Sequence, residues 1–98
     1  VSRVISKGGA IVKMTKNGFE PKEIKIKKGQ TIIWVNEDTD FHWPASNLHP
    51  THQIYPEFDS RKPLAPGEHW SVTFEKTGEW RCHDHLNPRS MCMVRVEK

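Results

Sequence analysis

Apolar and polar residues alternate with a period of two along most of this chain, the signature of half-buried β-strands. Residues 10–15 (AIVKMT), 23–27 (EIKIK) and 68–74 (EHWSVTF) show it directly. In the last of these, Trp70, Val72 and Phe74 fall on one side and His69, Ser71 and Thr73 on the other. Residues 31–36 (TIIWVN) make a more continuously apolar strand, broken by the acidic stretch Glu37 to Asp40. Residues 41–45 (FHWPA) predict a short strand cut off by Pro44, and 79–83 (EWRCH) and 91–97 (MCMVRVE) close the chain. Asn17-Gly18, Lys28-Gly29-Gln30 and Lys76-Thr77-Gly78 supply the turns between strands. No stretch carries a helical period and no segment repeats. Six to eight short strands at this spacing predict an all-β fold, an antiparallel Greek-key β-sandwich with residues 1–98 as a single domain. Residues 46–67 contain Pro50, Pro56, Pro63, Pro66 and Gly67 and are too long for a plain connector. Long loops on a rigid sandwich are where function concentrates.

Composition adds a constraint. The 98 residues are 35% hydrophobic and 28% charged, with a mean hydropathy of −0.73. A core this small calls for a covalent or metal staple, although four Trp and four Phe spread along the chain give it substance. The apolar runs are too short for a transmembrane helix. Residues 1–30 hold eight Lys or Arg against two Glu, whereas residues 31–98 hold seven against ten acidic residues. Because Lys13, Lys25 and Lys27 alternate with Val12, Ile24 and Ile26, this basic surplus reads as the solvated face of strands and a protected sheet edge. Nothing in the chain resembles a nucleic-acid-recognition motif. A phosphate-cradling loop, a dinucleotide fingerprint and Gly-x-Ser-x-Gly are also lacking, so no enzymatic activity is expected. The chain begins at Val1 with no n-region or h-region and reads as mature or trimmed, consistent with a lost signal peptide or membrane-anchoring segment.

The runs "GFEPKEIKIKKGQTIIWVNED", "FHWP" and "FDSRKPLAPGEHWSVTFEKTGEW" together resemble a small cupredoxin over nearly the whole chain. Phe19-x-Pro21, the Lys28-Gly29 turn, Trp34-x-Asn36, His42, Phe58-Asp59-Ser60, Leu64-x-Pro66-Gly67-Glu68, Thr73-Phe74 and Gly78-x-Trp80 carry the resemblance. It implies a Greek-key sandwich of the cupredoxin type. In the electron-transfer members of that family, copper is held by a His after the Trp/Phe-x-Asn strand and by Cys, His and usually Met in the last hairpin. Laid on this chain without a gap from Gly78, the family hairpin puts Trp80 and Cys82 on its two aromatic positions. Asp84 then falls on the copper Cys, Asn87 on the His, Ser90 on the Met and Cys92 on a Gly, with Val94 and Val96 in register beyond. Of the four expected ligands only His42 survives. A type 1 site needs a thiolate, which Asp84, Asn87 and Ser90 do not provide. A shifted register would instead recruit His42, Cys82, His85 and Met91 as a type 1 set.

In the gapless register Cys82 and Cys92 lie on facing strands with both side chains inward. They are then either a cross-strand disulfide, which implies an oxidising, extracytoplasmic compartment, or two buried thiols. His83-Asp84-His85 puts two imidazoles on one face of a strand, near enough to share one ion. The segment "RCHDHLNPRSM" also resembles the His-Cys-His segment of multicopper oxidases, but those enzymes need His-x-His pairs from more than one domain. His49-Pro50-Thr51-His52 adds a second pair in the long loop. His42, His49, His52, His83 and His85 thus become candidate metal ligands at one end of the sandwich, with His69 a bystander on an outward face. Neutral imidazoles suit copper above all, with Zn or Ni as alternatives. The expected function is an extracytoplasmic (periplasmic, secreted or membrane-anchored) copper-binding module for binding, delivery or sequestration, with a redox or copper-delivery protein as partner. A blue-copper electron-transfer protein and a metal-free scaffold are the alternatives.

Overall fold

In the computed structural model, which describes residues 9–46 and 57–98, eight strands form two four-stranded sheets. They are β1 (Ala10–Thr15), β2 (Gly18–Glu20), β3 (Glu23–Lys27), β4 (Thr31–Asn36), β5 (Pro44–Ser46), β6 (His69–Thr73), β7 (Gly78–Asp84) and β8 (Asn87–Glu97). One sheet has the order β2-β1-β4-β6 and the other β3-β8-β7-β5. No described helix is long and apolar enough to cross a membrane.

The alternation read from the sequence is the one that folds. Val12 and Met14 of β1, Ile32 and Trp34 of β4, and Trp80, Cys82, Val94 and Val96 of the β7–β8 hairpin turn inward and are buried. Trp34 is the hub of this core: its ring meets Phe19 edge-on at 5.7 Å and lies 5.2 Å from Phe58, which in turn meets Phe74 edge-on at 5.2 Å. Phe58 reaches the core because the chain returns beside β5, where Ser46 N–H donates to Phe58 O and Ser60 N–H to Pro44 O. Gly78 opens β7 at φ +140°, where a Cβ would lie 3.2 Å from the Trp80 ring, so glycine alone fits there without displacing the indole.

Three details differ from the strand reading. Pairing is not wholly antiparallel: β1–β4 and β3–β8 are parallel, because successive crossings between the sheets bring these pairs in from the same end. The short strand predicted at 41–45 is instead β5 at 44–46. Pro44, which lacks an N–H to give to a ladder, opens it rather than ending it. The last strand starts at Asn87, four residues early, because β8 carries extra residues: Asp84 pairs with Asn87 while His83 pairs with Met91. Lys25 and Lys27 lie exposed on β3, an edge strand as expected, but Lys13 sits on β1, between β2 and β4, and pairs loosely with Glu37 at 3.9 Å.

Candidate functional site

Asn36 builds one end of the sandwich. Its side-chain N–H₂ donates to Asp40 O and Leu64 O, both at 2.8 Å, and its Oδ1 accepts from Asp38 N–H at 2.8 Å. These bonds curl the chain after β4 so that the Asp38 carboxylate turns inward, where its Oδ1 also accepts Thr39 N–H. His42 is fixed just beyond by a backbone bridge to Leu64.

Between two acidic side chains lies the His42 ring. Its Nδ1 lies 2.5 Å from Asp84 Oδ2 and its Nε2 2.9 Å from Asp38 Oδ2, each at hydrogen-bond distance. Asp84 is fully buried and its Oδ1 additionally accepts Trp43 N–H (2.9 Å) and Leu86 N–H (3.0 Å). Two carboxylates facing the two ring nitrogens favour the protonated form of His42. Burial alone would lower the His42 pKa, but the hydrogen bonds and charges of Asp38 and Asp84 outweigh it and raise it. In return the hydrogen bond from His42 lowers the Asp38 pKa against the cost of its own burial.

On the opposite, outer face of β7 the His83 and His85 imidazoles approach each other, with His83 Nε2 3.2 Å from His85 Nδ1. Burial, and then the neighbouring His85, lowers the His83 pKa, with Asp84 and Asp59 opposing. Trp43 supports His85 twice, accepting its N–H at 2.7 Å and packing its ring 4.9 Å away, and is itself anchored by an Nε1–H bond to Asp59 at 2.8 Å. Cys82 and Cys92 are joined in a disulfide with their Cα atoms 4.9 Å apart. Met91 stands exposed on the outer face.

Of the five histidines expected at one end, the structure brings His83 and His85 together and engages His42 separately, inside, with carboxylates. His49 and His52 lie outside the described residues. His69 is exposed on β6. Among the described residues no three His, Cys, Asp or Glu side chains gather as a metal-holding group. Sequence reasoning placed Asp84 on the copper-Cys position but missed that it would clasp His42. It read Asp38 only as part of a strand-ending acidic stretch, although the Asp38-x-x-x-His42 spacing was a usable signal.

An all-β sandwich with this hairpin defines the class: the Cupredoxin-like domain family matches residues 6–94, and the chain belongs to that family. Among individual relatives, it is 27% identical over 94 residues to amicyanin from Paracoccus denitrificans, covering 95% of this chain and 69% of that protein. The purple cupredoxin from Nitrosopumilus maritimus superposes with a TM-score of 0.77 at 21% identity, covering 89% of this chain and 98% of that one. The Cu-containing nitrite reductase from Thermus scotoductus SA-01 superposes with a TM-score of 0.77 at 26% identity, covering 90% of this chain but only 22% of the enzyme.

The type 1 copper that the family implies does not fit the residues at this end. Both His42 nitrogens are engaged by carboxylates, the Cys82 sulfur is bound to Cys92 inside the core, and His85 and Met91 lie on the outer face.

Proposed function

We propose that this chain is a copper-binding module of the cupredoxin-like family, a binder and carrier rather than an enzyme, whose ion sits on the outer face of β7 instead of in the usual interior centre. The observation that carries this reading is the 3.2 Å separation of His83 Nε2 and His85 Nδ1. Two nitrogens each about 2.0–2.1 Å from one ion lie about 2.8–3.4 Å apart for bond angles between square and tetrahedral, so one metal can replace the shared proton with little motion. Divalent copper is favoured over Zn or Ni at imidazole by intrinsic affinity, and a relative named as a Cu-containing enzyme supports that choice. His49 and His52 are proposed as further imidazole donors from residues 47–56. His42, held between two carboxylates, serves here as a positioning residue rather than a ligand. The disulfide supports a role outside the cytoplasm, in copper binding, delivery or sequestration, with a copper-delivery or redox protein as partner.

Calorimetric and optical titration with Cu(II) tests the reading. One ion should bind with only weak visible absorption, because no thiolate is available. His83→Ala or His85→Ala should weaken binding by ~10-fold or more, and His49→Ala and His52→Ala by less, since two chelating imidazoles contribute most of the affinity. An intense band near 600 nm would establish the blue-copper alternative. Absence of binding at neutral pH would leave a metal-free scaffold.

A further inference from the structure

Met91 is anomalous for this fold. Methionine ordinarily fills gaps in a core, yet Met91 is 61% exposed in the middle of β8. The register places it directly opposite His83, and the next pair along is the disulfide Cys82–Cys92, both of whose members face inward. Strand alternation then turns His83 and Met91 outward together. Directly opposed residues have Cβ atoms only about 4.5–5.5 Å apart, well within reach of a three-bond thioether arm. The covalent link at the neighbouring pair prevents this register from slipping. The His83 and His85 imidazoles and the Met91 thioether are therefore placed on the same outer face.

Resting on the reading that His83 and His85 hold copper, we propose that Met91 is the third donor and that the site takes Cu(I) as well as Cu(II). A thioether is a soft, neutral ligand. It adds little to the binding of a harder divalent ion but favours monovalent copper, and it selects against Zn and Ni. With two neutral imidazoles it leaves Cu(I) its single charge and needs no buried counter-ion. Exposure of His85 and Met91, with His83 half-buried beside them, suits transfer of the ion to a second protein's thiol or thioether groups. A site of this composition carries the reduced ion, whereas a two-imidazole site alone holds the oxidised one better.

The test compares Cu(I) binding under ascorbate, by competition with bicinchoninate, and Cu(II) binding by calorimetry. The proteins are the intact chain and its Met91→Leu, His83→Ala and His85→Ala variants. Met91→Leu keeps the size of an exposed side chain and should fold normally, which circular dichroism checks. It should weaken Cu(I) binding by ~10-fold or more while changing Cu(II) binding by less than ~3-fold, and the histidine variants should weaken both. X-ray absorption of the Cu(I) form should show a copper–sulfur shell that disappears in Met91→Leu. Unchanged Cu(I) affinity in Met91→Leu, with both histidine variants weakened, overturns the Met91 proposal and leaves the imidazole site standing. Persistence of the sulfur shell in Met91→Leu also overturns it, by pointing to a cysteine. Failure of the intact chain to bind either ion overturns the proposal and the copper reading together.

Discussion

At His42 two carboxylates compete with any metal for the same two ring nitrogens. The result is a buried cluster in which the pKa of His42 is raised and that of Asp38 lowered. Because the folded pKa of His42 is raised, its contribution is complete below the ordinary histidine pKa and is lost as pH rises through the folded value. Asp38 is lowered, so its contribution is present above the ordinary carboxylate pKa and is lost as pH falls through its depressed value. The cluster therefore stabilises the fold most between these limits. Long-range imidazole NMR should find both His42 nitrogens protonated to a higher pH in the folded than in the unfolded chain, and thermal midpoints should fall as pH is raised beyond the His42 titration. An unprotonated ring nitrogen appearing at or below the pH at which the unfolded chain loses it would refute the carboxylate clasp. His42→Ala leaves the fully buried Asp84 without its cation, and breaking a buried pair in this way costs about 3–5 kcal/mol by chemical denaturation. Only half of this cluster was legible in the sequence. The gapless register exposed Asp84 as a substitution for a copper ligand, but hydrogen-bond partners depend on how Asn36 folds the chain back, and no periodicity encodes that.

The β7–β8 hairpin carries both the covalent staple and the proposed copper ligands, so its register matters twice. A chain-entropy estimate for a loop of ten residues gives about 2.7 kcal/mol of stabilisation from the disulfide. A Cys82→Ala/Cys92→Ala double variant should lower the thermal midpoint by roughly 10 °C or more at this chain length. Copper affinity should also drop, because the facing of His83 and Met91 is no longer pinned. A midpoint unchanged by the double substitution would show that the staple is dispensable. At this scale the sequence was most informative where side chains alternate. Trp80, Cys82, Val94 and Val96 were legible as inward, and all are buried. It was least informative where backbone bonding decides. Pro44 looks like a terminator but starts β5, and the extra residues of β8 between Asn87 and Met91 leave no hydrophobic trace. The parallel pairing of β1 with β4 likewise follows from how the chain crosses between sheets, which alternation within a strand does not specify.

Across the whole molecule, the triad ties together three separate parts of the chain: the turn after β4 through Asp38, the approach to β5 through His42, and the end of β7 through Asp84. An interior ion in the usual cupredoxin centre would join the His42 position to the last hairpin, and here the Asp84 carboxylate makes that link while Asp38 adds the turn after β4. A fold joined in this way should not depend on copper for its stability. Purified protein stripped with a strong chelator should melt within about 2 °C of untreated protein, since two surface imidazoles contribute only by mass action. Adding free Cu(II) at ten times its Kd should stabilise by about 1.4 kcal/mol, and that gain should disappear in His83→Ala. His42→Ala should melt at least ~10 °C lower whether or not copper is present, by the conversion of about 3 kcal/mol at this size. The two variants thus separate the roles: His42 governs whether the end of the sandwich holds together, and His83 whether an ion binds to its outside. A large loss of stability on chelation would reverse that division, because it would mean that an ion, not a proton, joins the turn after β4 to the end of β7.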